Sequence, residues 1–179
     1  MNQGYVVTIT SAIKHLGDYS FTGVIDDYFN AEVEVGNFTS IASPLYVHGA
    51  TEHPCIFDHN LVSTFPFGDK WKVDYPKASS KGKIEIGSDV WIGESVTILS
   101  GVKIGDGAIV GARSVIAKNI PAYAVVIGNP AQIIHSRFTP EQIEQLLKIR
   151  WWNWPKERIE ENIELMKDIN KFIEKFYDK

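Results

Sequence analysis

At 179 residues and 44% hydrophobic side chains, the chain is long enough to bury one sizeable core, which excludes wholesale disorder. Eighteen Lys and Arg stand against 22 Asp and Glu, and the resulting net charge of −4 has the wrong sign for a protein held on nucleic acid by phosphate contacts. No run approaches the ~18 apolar residues that cross a bilayer. Cys55 is the single cysteine and no CxxC pair exists, so no intrachain disulfide can form. Met1–Tyr5 lacks a basic patch followed by an apolar stretch, and a reducing cytoplasm is the expected compartment.

In chain order, the first recognisable unit is Leu16-Gly-Asp-Tyr-Ser-Phe21. A second stretch, Val35-Gly-Asn-Phe-Thr-Ser followed by Ile41-Ala-Ser-Pro-Leu-Tyr and Val47, repeats an aliphatic residue every sixth position. The same phase returns between Ile86 and Pro121, with Ile86, Ile92, Ile98, Ile104, Val110 and Ile116 leading successive hexads. The second position is Gly at 87, 93, 105 and 111, and the fifth is small or β-branched: Val90, Val96, Val102, Ala108, Ser114, Ile120. A period of six is neither helical nor simple strand alternation. It fits a solenoid of short flat strands with tight corners, each leading aliphatic residue pointing inward. Three hexads make one triangular coil, and stacked coils lie about 4.8 Å apart, the spacing of paired strands.

Between His48 and Lys83 the period lapses. A stretch that long inside a regular solenoid reads as an ejected loop, and its aromatic content predicts that it packs on something, a neighbouring subunit being one candidate. After Pro121 a last strand-like turn closes the coil. Thr139-Pro140-Glu141-Gln142 is then a capping box with Pro at the first helical position, and Phe138 and Ile143 sit where a hydrophobic staple forms. The helix should end near Ile149. Asn153-Trp154-Pro155 opens a second helix, with Ile159, Ile163, Met166, Ile169, Ile173 and Phe176 at helical spacing. Trp151, Trp152 and Trp154 are expected to pack this hairpin over the solenoid's open end. The chain therefore divides into a solenoid over 1–137, carrying a loop at about 48–83, and a helical extension over 138–179.

Among the five histidines, His53 has the best setting for chemistry, since it lies where a rigid coil gives way to the loop. The hexads resemble those of the acyltransferases built on a single-stranded left-handed parallel β-helix. The segment Gly49–Phe67, with its early histidine and Thr64-Phe-Pro-Phe67, and the run Lys148-Ile-Arg-Trp-Trp-Asn-Trp-Pro155 are similar to the xenobiotic acetyltransferase branch. Its members include chloramphenicol and streptogramin acetyltransferases and relatives acting on polysaccharide sugars. The likeness runs from about Leu16 to Ile163. It implies a mainly β fold, a homotrimer with its sites between subunits, and transfer of acetyl from acetyl-coenzyme A to a hydroxyl without a metal. On the same basis His53 is the general base, Glu52 a candidate to orient it, and the coenzyme contacts fall on Gly93, Glu94, Gly111, Ala112, Ala117 and Lys118. Arg137 is a weaker phosphate contact and His135 weaker still. Glu94 and Ala117 stand where relatives often carry a hydroxyl residue. The Tyr19–Asn30 segment, expected to line the acceptor pocket, departs from the antibiotic-inactivating members and favours a surface-polysaccharide sugar or its precursor as acceptor. An antibiotic hydroxyl is the alternative.

Two other classes compete. His48 and His53, with His15 or His59, resemble the paired histidines of β-helix carbonic anhydrases, in which zinc activates water. A non-catalytic β-helix scaffold is the other.

Overall fold

The computed structural model describes residues 12–28, 30–49, 62, 63, 65, 67–74 and 80–177. In them the chain winds as a triangular prism. The first coil is β1 (Ile13–Leu16), β2 (Phe21–Thr22) and β3 (Ile25–Tyr28). The second is β4 (Val33–Val35), β5 (Ser40–Ile41) and β6 (Leu45–His48). The third is β7 (Ile84–Ile86), β8 (Trp91–Ile92) and β9 (Val96–Ile98), and the fourth β10 (Lys103–Ile104), β11 (Ile109–Val110) and β12 (Val115–Ile116). A partial fifth coil has a bridge at Ile120 and then β13 (Ala124–Gly128), on which β14 (Ala131–Ser136) folds back antiparallel. Every other pairing is parallel, and the strands form three sheets ordered β1-β4-β7-β10, β14-β13-β11-β8-β5-β2 and β12-β9-β6-β3, here the first, second and third faces.

The hexads fix the register. Ile86 stacks on Ile104, Ile92 on Val110 and Ile98 on Ile116, each pair one 18-residue coil apart. These leading residues are at most 4% exposed, and Val90, Val96, Val102, Ala108, Ser114 and Ile120 are buried beside them. Each hexad thus sends two side chains inward, and the core is one continuous column. Ser114 is the polar member of that set. Its hydroxyl donates to the Gly111 carbonyl at 2.7 Å and accepts from the Gly128 N–H at 3.1 Å, which satisfies it in the interior. The ejected loop is inserted between β6 and β7 without disturbing the stack, since Val35 still pairs with Ile86 and Val47 with Ile98.

The corner between the first and second faces carries one residue per coil in the left-handed region: Tyr19, Phe38, Asp89, Gly107 and Tyr123, at φ of 56–69°. That conformation turns the side chains of Tyr19, Phe38, Asp89 and Tyr123 out of the prism. Tyr19 stacks on Phe38 at 4.7 Å, and Phe38 meets Trp151 at 5.0 Å. Asn37 donates to the Trp152 carbonyl at 3.1 Å, and Tyr123 is buried in the cluster formed with Leu146, Trp152, Phe172 and Ile173. The helical extension accordingly lies along this corner rather than over the open end, which corrects the placement expected of the Trp-rich run. The aromatics at its two ends, Tyr19 and Phe38 in the first two coils and Tyr123 in the fifth, supply an apolar seat there, whereas the fifth coil is followed by β14, with Ala131 against the core.

A short helix α1 (Phe67–Trp71) lies within the ejected segment. Helix α2 (Pro140–Ile149) begins and ends as its sequence predicts: Thr139 Oγ1 accepts from the Gln142 N–H at 3.3 Å, and the Gln142 side chain accepts from the Thr139 N–H at 3.1 Å. The second helix expected from apolar spacing is instead broken. A 3₁₀ turn at Trp151–Asn153 precedes α3 (Lys156–Glu160), a second 3₁₀ turn covers Leu165–Lys167, and α4 (Ile169–Phe176) follows. Two side chains account for the break. Asn162 donates from its amide to the Arg158 carbonyl at 2.7 Å, and Asp168 accepts from the N–H groups of Asn170 and Lys171, starting a new helix.

Candidate active site

The ejected loop is rooted on the third face. Strand β6 ends at His48, which pairs with Tyr28 of β3, and the Gly49 N–H donates to the Tyr28 carbonyl at 2.8 Å as the chain leaves. The His48 and Tyr28 rings stack at 4.9 Å and 14°, with Tyr46 6.4 Å from Tyr28. Burial holds the His48 imidazole below its ordinary pKa, so it is neutral near pH 7. Within the loop Phe65, Phe67 and Trp71 pack on one another at 4.9–6.5 Å, so its aromatics serve at least partly to order the loop itself. His53, its neighbour Glu52 and the possible metal partner His59 lie outside the described residues. His15 sits on β1 of the first face, one face away from His48.

The residues expected to hold coenzyme fall into three groups. Gly93-Glu94 and Gly111-Ala112 form successive turns of the corner between the second and third faces, stacked so that Arg113 N–H donates to the Glu94 carbonyl at 2.8 Å. Ala117 and Lys118 form the opposite corner of the same face, immediately after β12. The third face at the third and fourth coils, with Thr97 over Val115, is therefore bracketed by both groups. Glu94, Ala112, Ala117 and Lys118 are exposed. Lys118 forms no ion pair among the described residues, and it lines a cleft of about 210 Å³ with Asn119, Pro130, Gln132 and Ile133. That is a suitable place for a phosphate to meet a point charge.

Arg137 and the glycines have structural roles of their own. Arg137 is on the far corner, between the first and second faces. Its guanidinium donates to the Gly107 carbonyl at 2.6 Å, reaches Asp89 at 3.4 Å and lies against the Tyr123 and Phe138 rings, so it ties the helical extension to this corner. The glycines, too, have a reason of their own. A Cβ on Gly93 would lie 2.6 Å from the Ala112 nitrogen, and one on Gly111 would lie 2.4 Å from Ile127 Cγ2. Stacking of the next coil already demands them, whatever approaches from outside. His135 is exposed on β14, with Nδ1 3.1 Å from the Ser136 carbonyl.

Sequence reasoning passed over Trp91. It is 47% exposed on the second face, beside the Gly93 corner, and an indole held out on a rigid strand is a ready apolar contact. Its signal was available: in its hexad, a large aromatic occupies an outward position next to the corner. The Tyr28–His48 stack was not legible, because the two residues lie 20 apart and meet only through the coil register.

Comparison with known proteins agrees with this architecture. Residues 83–118 match the family model described as bacterial transferase hexapeptide (six repeats). The chain is 38% identical over 147 residues to a probable macrolide acetyltransferase of Lysinibacillus sphaericus, covering 78% of this chain and 79% of the relative. It is 37% identical to a chloramphenicol acetyltransferase of Morganella morganii, covering 77% and 67%. Among solved structures, a maltose O-acetyltransferase from Clostridium difficile aligns with a TM-score of 0.55 at 26% identity, over 72% of this chain and 60% of that one. A hexapeptide-repeat acetyltransferase from Vibrio cholerae aligns with a TM-score of 0.54 at 25% identity, over 72% and 64%. A prism of 18-residue coils, its interrupting loop after the second coil and these likenesses converge: the chain belongs to the hexapeptide-repeat acetyltransferases, which are left-handed parallel β-helices.

Proposed function

We propose that the protein moves the acetyl group of acetyl-coenzyme A to a hydroxyl of a sugar, in a surface polysaccharide or its precursor, with His53 as general base. The observation that carries this is the bracketing of one face: Gly93-Glu94 and Gly111-Ala112 on one corner and Ala117-Lys118 on the other, one and two coils along from the root of the loop that bears His53. The coenzyme's extended arm lies along that face, hydrogen-bonding backbone groups of the corners, and Lys118 meets a phosphate. The assembly is a homotrimer, and His53 faces coenzyme held largely by a neighbour's coils, so cyclic symmetry repeats the site at each interface.

A neutral hydroxyl is a weak nucleophile. The His53 imidazole takes its proton as the oxygen attacks the thioester carbonyl, and the resulting imidazolium gives a proton to the departing thiolate as the tetrahedral intermediate collapses. Both substrates are held together, so no acyl-enzyme is required and proximity supplies much of the acceleration. A backbone N–H stabilises the oxyanion.

The sugar acceptor is supported by the likeness to a maltose O-acetyltransferase. The higher identity to macrolide and chloramphenicol acetyltransferases favours a second reading, an antibiotic hydroxyl. Thiol release from acetyl-coenzyme A, measured against a panel of sugars, chloramphenicol and macrolides, separates them. Turnover with sugars alone supports the first, turnover with antibiotics alone the second, and no release with any acceptor overturns both.

A further inference from the structure

Between the outward corner of the prism and the helical extension lies a cavity of about 260 Å³. Leu146, Trp151, Met166 and Phe172 supply apolar walls, and Asp89, Tyr123 and Arg137 supply the polar floor. An engineered apolar cavity of about 150 Å³ is enough to hold benzene, so this one admits a ring with a short polar arm.

The floor is incompletely paired. Tyr123 is 1% exposed and its hydroxyl has no hydrogen-bond partner among the described residues. Such a group costs free energy unless something satisfies it. Arg137 spends its short hydrogen bond, 2.6 Å, on the Gly107 carbonyl and reaches Asp89 only at 3.4 Å. Asp89 is therefore a largely buried carboxylate with a loose partner, and Asp106 nearby adds repulsion while its own Oδ1 accepts from the Ser88 N–H at 2.7 Å. Lys167, exposed among the lining residues, is occupied by Glu164 at 2.7–2.8 Å. Beside the Arg137–Asp89 ion pair the floor thus carries a second nearby negative charge, Asp106, and a Tyr123 hydroxyl with an unfilled hydrogen bond.

We propose that this cavity is a binding site for a small primary amine with an aromatic or branched apolar body. Its ammonium group completes the Asp89 carboxylate, the Tyr123 hydroxyl accepts a second hydrogen bond from it, and the body fills the space between Trp151, Leu146 and Phe172. The site is separate from the third face and does not depend on the acetyltransfer reading. It also joins prism to helices, because its floor comes from one and its walls from the other.

Benzylamine is the probe, with benzyl alcohol and benzoate as isosteric neutral and anionic controls. Ligands of this size reach dissociation constants of roughly 1 mM. Titration followed by NMR shifts and by thermal melting should show saturable binding in the order amine, alcohol, benzoate. Asp89→Asn should weaken benzylamine about 10-fold and benzyl alcohol about 2-fold or less, a difference that a merely structural role would not produce. Met166→Trp, which fills the cavity from its wall, should abolish all three while leaving acetyl-coenzyme A binding unchanged. Absence of saturable benzylamine binding at ~10 mM, benzoate binding as well as benzylamine, or benzylamine affinity indifferent to Asp89→Asn would each overturn the proposal. Should Met166→Trp fail to fold, the Asp89→Asn comparison decides alone.

Discussion

Replacing Gly93 with Ala tests the stacking argument at the corner that flanks the candidate active site. The added methyl would lie 2.6 Å from the Ala112 nitrogen, 2.9 Å from its Cα and 3.2 Å from its Cβ. The first two contacts are backbone of the next coil, which is tied back by the Gly93 N–H to Val110 carbonyl bond at 2.8 Å and the Arg113 N–H to Glu94 carbonyl bond at 2.8 Å. Nothing flexible can give way, so the two coils must part locally, and overpacking of this kind costs about 1–3 kcal/mol. For a chain of this size that corresponds to a melting temperature lower by roughly 2–12 °C. Because the methyl presses on the next coil, thermal stability should fall, and parting of the coils at this corner should weaken coenzyme binding with it. A double variant sharpens the test: Ala112→Gly removes only the 3.2 Å contact and should not rescue Gly93→Ala. A wild-type melting temperature for Gly93→Ala, or full rescue by Ala112→Gly, would refute the claim that coil-to-coil backbone contact fixes glycine here.

His53→Ala should lower turnover by roughly 10²–10⁴ with acetyl-coenzyme A binding nearly intact, measured by steady-state kinetics and calorimetry; an unchanged turnover would remove His53 from the reaction. Lys118→Ala should weaken the phosphate-bearing coenzyme more than a pantetheine fragment, and equal losses would contradict a phosphate contact. Burial raises the Asp89 pKa against the opposing pull of Arg137, so the folded state holds this proton to higher pH than the unfolded chain does. Stability should therefore fall as pH rises from the ordinary aspartate range through the raised value, and Asp89→Asn should flatten that part of the melting-temperature profile; a profile equally steep in the variant would assign the slope to another group. Sedimentation should show a trimer, and a well-behaved monomer that still turns over would rule out a site shared between subunits.

How far the sequence could be read depends on which interactions repeat. Ile86, Ile92, Ile98, Ile104, Val110 and Ile116 face the same environment coil after coil, so their burial is written into a period that one sequence displays. The capping box at Thr139 is likewise local, its partners three residues apart, and it formed as expected. What was not legible depends on residues that meet once and across long separations. The apolar spacing from Ile159 to Phe176 is compatible with an unbroken helix, and only the side chains of Asn162 and Asp168, bonding backbone groups in competition with it, divide it. The corner that Arg137 reaches was not legible because its partners, Gly107 and Asp89, are 30 and 48 residues away. The same rule explains the seat of the helices. Tyr19, Phe38 and Tyr123 each put a large aromatic at a corner position that Asp89 and Gly107 hold in the coils between, and taken singly each is only an odd substitution. Tyr19 stacked on Phe38 at one end of the corner, with Phe38 against Trp151, and Tyr123 buried among Leu146, Trp152 and Phe172 at the other, give the helical extension its apolar seat there. The corners flanking the third face, with Gly93, Gly111, Ala117 and Lys118, carry no such seat. We propose that they stay bare because a coenzyme and a neighbouring subunit, rather than the chain's own helices, are what they meet.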